Sequence, residues 1–547
     1  MPSLSVTGKW ALGGGVGLTL GGLAGTLAPM VGAGSAVLCG LALAWVATSP
    51  MPRRMRRERL EFTWWIPSAA GAGRKPDEPI ALRIALRNPT DETLVLGTPR
   101  LALSPGLRHA RVRQQRLVIP PRTVASFELE VRASHAGRHV LHGAWMTISG
   151  PLGLAWAPLY FPNPLPVEVQ PRASAARAIA RTSTQSDPAV RVGRSTRRLG
   201  DGPELRELRD LQPGDPFRRI AWKASARRGR LIVRDTQDEA QSTRMLVIDA
   251  SATMRGDDRG AAKIDYAIEL AAQAARIVTA SGDRLGLVGF ASRVVQVVPP
   301  ADGPNHARIV TGAALELRTL VDEDLTDVED DALVRTVARY FREQEGLDPL
   351  RGVSAVEGRR KLAELAARAA RHDPMMRMPV RARDPLMRVL RAFCRARAIP
   401  LPLRHDGTGE AKLRGLEEAL LTAAHGARER RTILVVTDLD GVTEVTRLKT
   451  ALGRLRQKRH RVVFVAPAGD EFLRALPTEK GAVVRAAEQA ARSAVRAMFV
   501  EDEASRLREL RSPLAAMGAS LFSARHRDTA ALWIRRASAP STALAVP

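Results

Sequence analysis

From Trp10 to Pro52 the chain carries no charged residue. That stretch is about twice the roughly 20 apolar residues a helix needs to cross a bilayer, so it fits two spans better than one. Proline ends or kinks a helix, and Pro29 divides the stretch into candidate spans at residues 10–27 and 31–48. A secretory signal is the simpler alternative, but the run is too long for one and lacks a convincing charged start and cleavage site. Arg53, Arg54, Arg56, Arg57 and Arg59 follow directly. Basic clusters beside a span stay on the cytoplasmic side, so the expectation is a protein of the cell (inner) membrane with two spans and cytoplasmic soluble domains. The same arginines can lie against anionic lipid headgroups.

The formal net charge of +27 points to polyanionic neighbours without choosing among nucleic acid, lipid and acidic protein. The two cysteines, Cys39 and Cys394, exclude a disulfide framework and a cysteine zinc site. Residues 53–171 combine the basic juxtamembrane segment with short alternating runs at 81–88, 126–133 and 140–149, separated by turn-rich pieces. That spacing predicts a small β-sandwich. His135, His139 and His142 cluster there, but along a strand the third points away from the first two and no carboxylate accompanies them. They read as exposed strand histidines and not as metal ligands. Residues 172–199 read as a linker.

Near-continuous apolar strands are expected at 244–249, 284–290, 294–298, 432–437, 461–466 and 519–522, with helices at 263–280, 413–424 and 486–516. Such strands separated by helices predict a parallel sheet covered on both faces, with ligands bound beyond the carboxyl ends of the strands. Asp249 stands at one such end, followed by Ser251 and Thr253. The three side chains can aim oxygens at one hard divalent cation, or can simply form a helix N-cap region. Residues 312–400 interrupt the pattern with an acidic run at 322–331 and then an arginine-rich helical stretch. With few aromatics for base stacking, nucleic acid is not favoured there, and a solvated, charged helical insertion or partner-docking surface is expected. Residues 537–547 read as a disordered tail.

One forty-residue segment, 200–243, is more specific. Its Glu204, Arg206, Glu207, Gln212-Pro213-Gly214-Asp215, Arg218-Arg219-Ile220, Trp222-Lys223, Ser225-Ala226-Arg227 and Val233-Arg234 resemble the signature of the von Willebrand factor A-like family known as domain of unknown function 58. Trp222 could pack into the following domain. The resemblance implies an α/β, doubly wound parallel sheet of von Willebrand factor A-like type formed by 244–311 and 401–536, preceded by the β-sandwich and the transmembrane helical hairpin. It also makes Asp249-x-Ser251-x-Thr253 similar to a metal-ion-dependent adhesion motif for Mg²⁺ or another divalent cation. That motif needs a second-loop threonine, for which Thr408 is the candidate, and a later acid, for which Asp438 fits and Asp440 is a backup. Glu207, Pro213, Gly214, Asp215, Arg219, Trp222 and Lys223 are the signature residues expected to serve interaction.

The chain has no Gly-x-x-x-x-Gly-Lys, His-Glu-x-x-His or Gly-x-Ser-x-Gly motif and no Cys/His nucleophile pair. The expectation is therefore a non-enzymatic interaction or adaptor protein. The family resemblance implies work with a MoxR-type AAA+ ATPase in assembly or maturation of protein complexes. The alternative is a metal-dependent phosphoesterase using Asp249, Asp438 and Asp440.

Overall fold

The structure is a computed structural model that describes residues 2–57, 60–67, 73–109, 116–172, 198–212, 217, 220–238, 242–255, 262–427, 429–442, 444–468, 472 and 486–538. The expected linker, apart from its ends, and most of the expected tail lie outside these residues. The chain divides into two compact units, residues 1–170 with 319–402, and residues 171–318 with 403–547.

The first unit opens with strand β1 (Ser3–Leu4), followed by helices Val6–Ala24 and Ala28–Thr48, which pack along each other. Ser5 caps the first helix by accepting from the Gly8 amide at 2.9 Å. The break falls at residues 25–27, and Pro29 sits inside the first turn of the second helix. There its missing N–H is no loss. Helix Ala28–Met55, read as one continuous stretch, is long and apolar enough to cross a membrane by length and composition.

Strands β2 (Glu61–Trp65), β3 (Pro79–Arg87), β4 (Leu94–Gly97), β5 (Arg100–Leu103), β6 (Leu107–His109), β7 (Arg116–Ile119), β8 (Val124–Ala133), β9 (Gly137–Ser149) and β10 (Ala155–Val169) then form two antiparallel sheets. One runs β2-β3-β8-β6; the other runs β1-β10-β9-β4-β7, with β5 also on β9. Strand β3 shows the cause of the stacking. Ile80, Leu82, Ile84 and Leu86 alternate inward, and the first three meet Leu141, Ala144 and Val167 of the other sheet.

The insertion spans 319–402 and belongs to this unit, whereas helix Pro304–Glu316, placed partly in the insertion by its sequence, belongs to the other. Helices Asp330–Tyr340, Ala355–Ala369 and Pro385–Ala396 close around Leu333, Val337, Leu362 and a stacked Phe341–Phe393 pair with centroids 5.2 Å apart. The insertion is therefore not merely a solvated face. Arg391, Arg395 and Arg397 are buried and act as internal hydrogen-bond donors. Arg391 reaches the Val321 carbonyl (2.9 Å), the Val328 carbonyl (3.1 Å) and Thr326 Oγ1 (2.5 Å). Tyr160 donates to Gln344 Oε1 at 2.5 Å, and Arg138 pairs with Asp373, so the insertion is tied to β9 and β10.

The histidine expectation is corrected, because His135, His139 and His142 are all buried and not exposed. His142 Nδ1 lies 3.2 Å from the Tyr340 hydroxyl of the insertion, and His139 Nε2 lies 3.0 Å from the His135 carbonyl.

The second unit begins with β11 (Arg198–Asp210) paired antiparallel to β12 (Ile232–Asp238), with helix Trp222–Arg228 between them. A six-stranded sheet follows, built from β13 (Thr243–Asp249), β14 (Arg284–Phe290), β15 (Val294–Ala301), β16 (Arg431–Val436), β17 (Arg461–Pro467) and β18 (Ala519–Ala524) in the order β15-β14-β13-β16-β17-β18. Five strands are parallel. Edge strand β15 runs antiparallel, because only three residues separate it from β14, too few for a crossover.

Met245, Val247, Ile433, Val435 and Phe464 pack on helices Glu410–Ala424 and Lys449–Gln457. The alternate residues Leu246 and Leu434 face helices Lys263–Ala280 and Ala530–Ser538 around Ala274, Val278 and Ile534. Both faces are thus covered, which is why these strands read as unbroken apolar runs.

Candidate functional site

The carboxyl edge of the central strands gathers the acids. Asp249 ends β13 and Asp438 lies two residues past β16, both fully buried. The Ser251 amide donates to Asp249 Oδ1 at 2.8 Å, which folds the loop back on its own strand end. Thr437 Oγ1 donates to Asp249 Oδ2 at 2.7 Å and so ties the two strand ends together. Thr253 Oγ1 lies 3.2 Å from Ser251 Oγ and 3.1 Å from Asp438 Oδ1. Leu439 adopts a left-handed φ of 52°, a conformation that costs a non-glycine residue on the order of 1 kcal/mol or more and bends the chain away directly behind Asp438. Asp249, Ser251, Thr253 and Asp438 therefore come together.

Thr408 does not join them. It is exposed, and its hydroxyl donates to Asp406 Oδ1 at 2.7 Å, while Asp406 Oδ2 accepts from the Ala411 amide at 2.7 Å at the start of helix Glu410–Ala424. The Thr408 hydrogen bond holds the Asp406 carboxyl below the usual carboxylate range.

The group that reaches the centre from this loop is Lys412. Its ammonium donates to Thr253 Oγ1 at 2.5 Å and Asp438 Oδ1 at 2.6 Å, and lies 3.3 Å from Asp249 Oδ2. The helix that delivers it is held closely. A Cβ on Gly409, whose φ is 67°, would come within 2.7 Å of the Gly441 backbone, and one on Gly415 would lie 2.1 Å from the Ala291 carbonyl oxygen.

A second ammonium, Lys263 Nζ, reaches the other Asp438 oxygen at 3.2 Å and Glu503 Oε1 at 2.7 Å. Burial pulls both lysines down, but the facing carboxylates outweigh it and both stay above the usual lysine value. Burial pushes Asp438 up, yet Lys412 and Lys263 dominate and hold it well below the carboxylate range. Asp440 pairs with Arg506 at 2.7 Å.

These residues do not fit a resident divalent cation. Mg²⁺ needs oxygens at about 2.0–2.1 Å in an octahedron, and the point on which Asp249 Oδ2, Thr253 Oγ1 and Asp438 Oδ1 converge is held by Lys412 Nζ. Among the described residues no three His, Cys, Asp or Glu side chains are grouped to hold a metal. The phosphoesterase alternative gains no support here, because Asp249, Asp438 and Asp440 each already face a cationic side chain.

Of the signature residues, Pro213, Gly214, Asp215 and Arg219 lie outside the described residues, as does the side chain of Glu207. Trp222 does not pack into the following domain: it and Lys223 are exposed at the start of their helix. Ser225 does the structural work there, accepting from the Ile232 amide at 2.9 Å and donating to the Ala221 carbonyl at 3.1 Å, so that the helix closes onto β12.

Residues 207–332 match the model of the family described as protein of unknown function DUF58. An uncharacterized protein of Mycobacterium bovis and one of Mycobacterium tuberculosis are each 32% identical to the chain over 107 residues, 20% of this chain and 34% of the relative. The chain thus spans about a third of the length of the curated relatives it matches. Among solved structures, a FixG-related protein from Vibrio parahaemolyticus is 7% identical, covering 20% of this chain and 94% of that one, with a TM-score of 0.14. Native alpha-2-macroglobulin from Escherichia coli is 12% identical, covering 74% of this chain and 22% of that one, with a TM-score of 0.16. Scores this low carry no argument about fold.

Proposed function

We propose that the chain is a membrane-anchored, non-enzymatic adaptor whose second unit is a von Willebrand factor A-like module. Its partner is a protein, taken to be a MoxR-type AAA+ ATPase or a client of one, bound at the carboxyl edge of the six-stranded sheet. The observation that carries this reading is the gathering of Asp249, Ser251, Thr253 and Asp438 at that edge with both aspartates facing a fixed ammonium. Such an edge offers a rigid surface on which, among the described residues, Asp249, Asp438 and Asp440 are each already paired with a cation.

The hairpin reading of the N-terminus is supported by β1, which pairs with β10, and by the Ser5 amide, which donates to the Leu154 carbonyl. The second helix also ends at this sheet, where Gly150 leaves room for Thr48. On this reading the helical pair crosses the membrane twice, and the arginines after it orient that sheet towards the cytoplasm.

The test is co-purification of the full chain from detergent-solubilised membranes, with and without Thr408→Arg and Glu410→Arg, two exposed positions on the same edge. Recovery of an AAA+ ATPase with the wild-type chain, and its loss with the double variant, is expected. Equal recovery with both, or none with either, refutes the assignment.

A further inference from the structure

We propose that Lys412 is a built-in cation: its ammonium stands permanently where an adhesion-type site would hold a divalent ion, and it makes this site independent of metal. An ammonium has three N–H donors and no acceptor. The structure offers it three oxygens, from Thr253, Asp438 and Asp249, at 2.5, 2.6 and 3.3 Å. Donor number and acceptor number match, which accounts for Thr253 Oγ1 and both carboxylates without any further ligand.

Lys412 is also not free to swing aside. Its side chain is 5% exposed, it sits in the first turn of helix Glu410–Ala424, and Gly409 and Gly415 press that helix against the 441 and 291 backbones on either side of it. Withdrawing it would leave the buried Asp249 carboxylate without a cation and Asp438 with Lys263 alone.

The substitution of ammonium for metal changes what the edge can bind. A divalent ion with an open coordination position can accept a carboxylate from a partner. Lys412 has no such position, since its three donors are spent. The cluster therefore cannot be bridged to an acidic peptide through this cation. Whatever docks on this edge does so through the exposed residues around the cluster, and does so equally in chelator. This inference concerns the cation alone and stands whether or not the adaptor reading holds.

The experiment is Mn²⁺ titration of the metal-stripped full chain in detergent, read by electron paramagnetic resonance of the free ion, for wild type, Lys412→Thr and Asp249→Asn. The wild type is expected to take up no Mn²⁺ at this site and to keep the same thermal midpoint in Mg²⁺ and in chelator. Lys412→Thr, which keeps a hydroxyl but removes the ammonium, is expected to gain one Mn²⁺ per chain and a midpoint that rises with the ion. One-site uptake by the wild type that Asp249→Asn abolishes overturns the proposal, and that titration decides the matter even if Lys412→Thr does not fold. A folded Lys412→Thr with no uptake overturns it too. Neither readout depends on recovery of a partner, so failure of the adaptor reading is told apart from failure here.

Discussion

Acid should loosen the first unit through one residue. His142 on β9 is buried beside Tyr340, and burial, with the charge of Arg397 added to it, brings its pKa down from 6.5 to about 4. Above pH 6.5 the imidazole is neutral folded or unfolded and contributes nothing. As pH falls, the unfolded chain takes up the proton first and the folded state loses ground until about pH 4, where both are protonated. A difference of 2.5 units is roughly 3 kcal/mol at 1.36 kcal/mol per unit, of which about 2 kcal/mol is already lost between pH 7 and pH 5.

Glu345 titrates in the opposite sense: burial raises its pKa, so the folded state is favoured as its proton is taken up. The informative quantity is therefore the difference between wild type and His142→Gln, which keeps a hydrogen-bonding partner for Tyr340 but does not titrate. Hydrogen exchange of the β9 amides in the detergent-solubilised chain, corrected for intrinsic rates, reads that stability locally. The pH 7 to pH 5 loss should shrink by about 2 kcal/mol in the variant. An equal loss in both proteins, or a directly observed His142 titration near its ordinary 6.5, would refute the reasoning.

Arg391→Met strips three internal acceptors, at Val321, Thr326 and Val328, of their donor and should cost about 3 kcal/mol, seen as a lower unfolding midpoint of the first unit. Gly415→Ala sets a methyl 2.1 Å from the Ala291 carbonyl oxygen, so its helix must shift; a loss of about 1–3 kcal/mol is expected in denaturant titration, whereas unchanged stability would show that the helix is not held at that distance.

What could be read from the chain depends on whether a residue's environment is local. Strands β13, β14, β16 and β17 lie under helices on both faces, so their central positions are apolar without alternation and the run marks the strand whatever its neighbours. Helix Lys263–Ala280 shows itself by its apolar residues at helical spacing, Ile264, Ala267, Ile268, Ala271, Ala275 and Val278, all buried. Asp249 and Asp438 were legible because an acid at the end of such a strand has nowhere to go but the sheet edge. The burial of His142, Arg391 and Arg397 was not, since it is created by the insertion folding on itself and on β9, nearly 200 residues away in the chain for His142 and Tyr340. Nothing in an arginine-rich helix distinguishes a guanidinium in water from one that collects backbone carbonyls.

Lys412 was missed for a related reason, and the miss is instructive. A search for a metal site looks for oxygen donors, so the loop before helix Glu410–Ala424 drew attention to its threonine and not to the lysine one turn on. Yet side chains in a helix lean towards its N-terminus, and a long one in the first turn reaches past the loop to whatever lies beyond. Thr408 is short and is held by Asp406 as part of the turn that starts the helix. Lys412 has the length, the direction and, between Gly409 and Gly415, the fixed platform. The signal available was a lysine at the third position of a helix beginning at a strand-edge loop, in a chain with two acids at the neighbouring strand ends. Where an apparent cation site of this kind contains such a lysine, the charge balance should be settled before a metal is added to it.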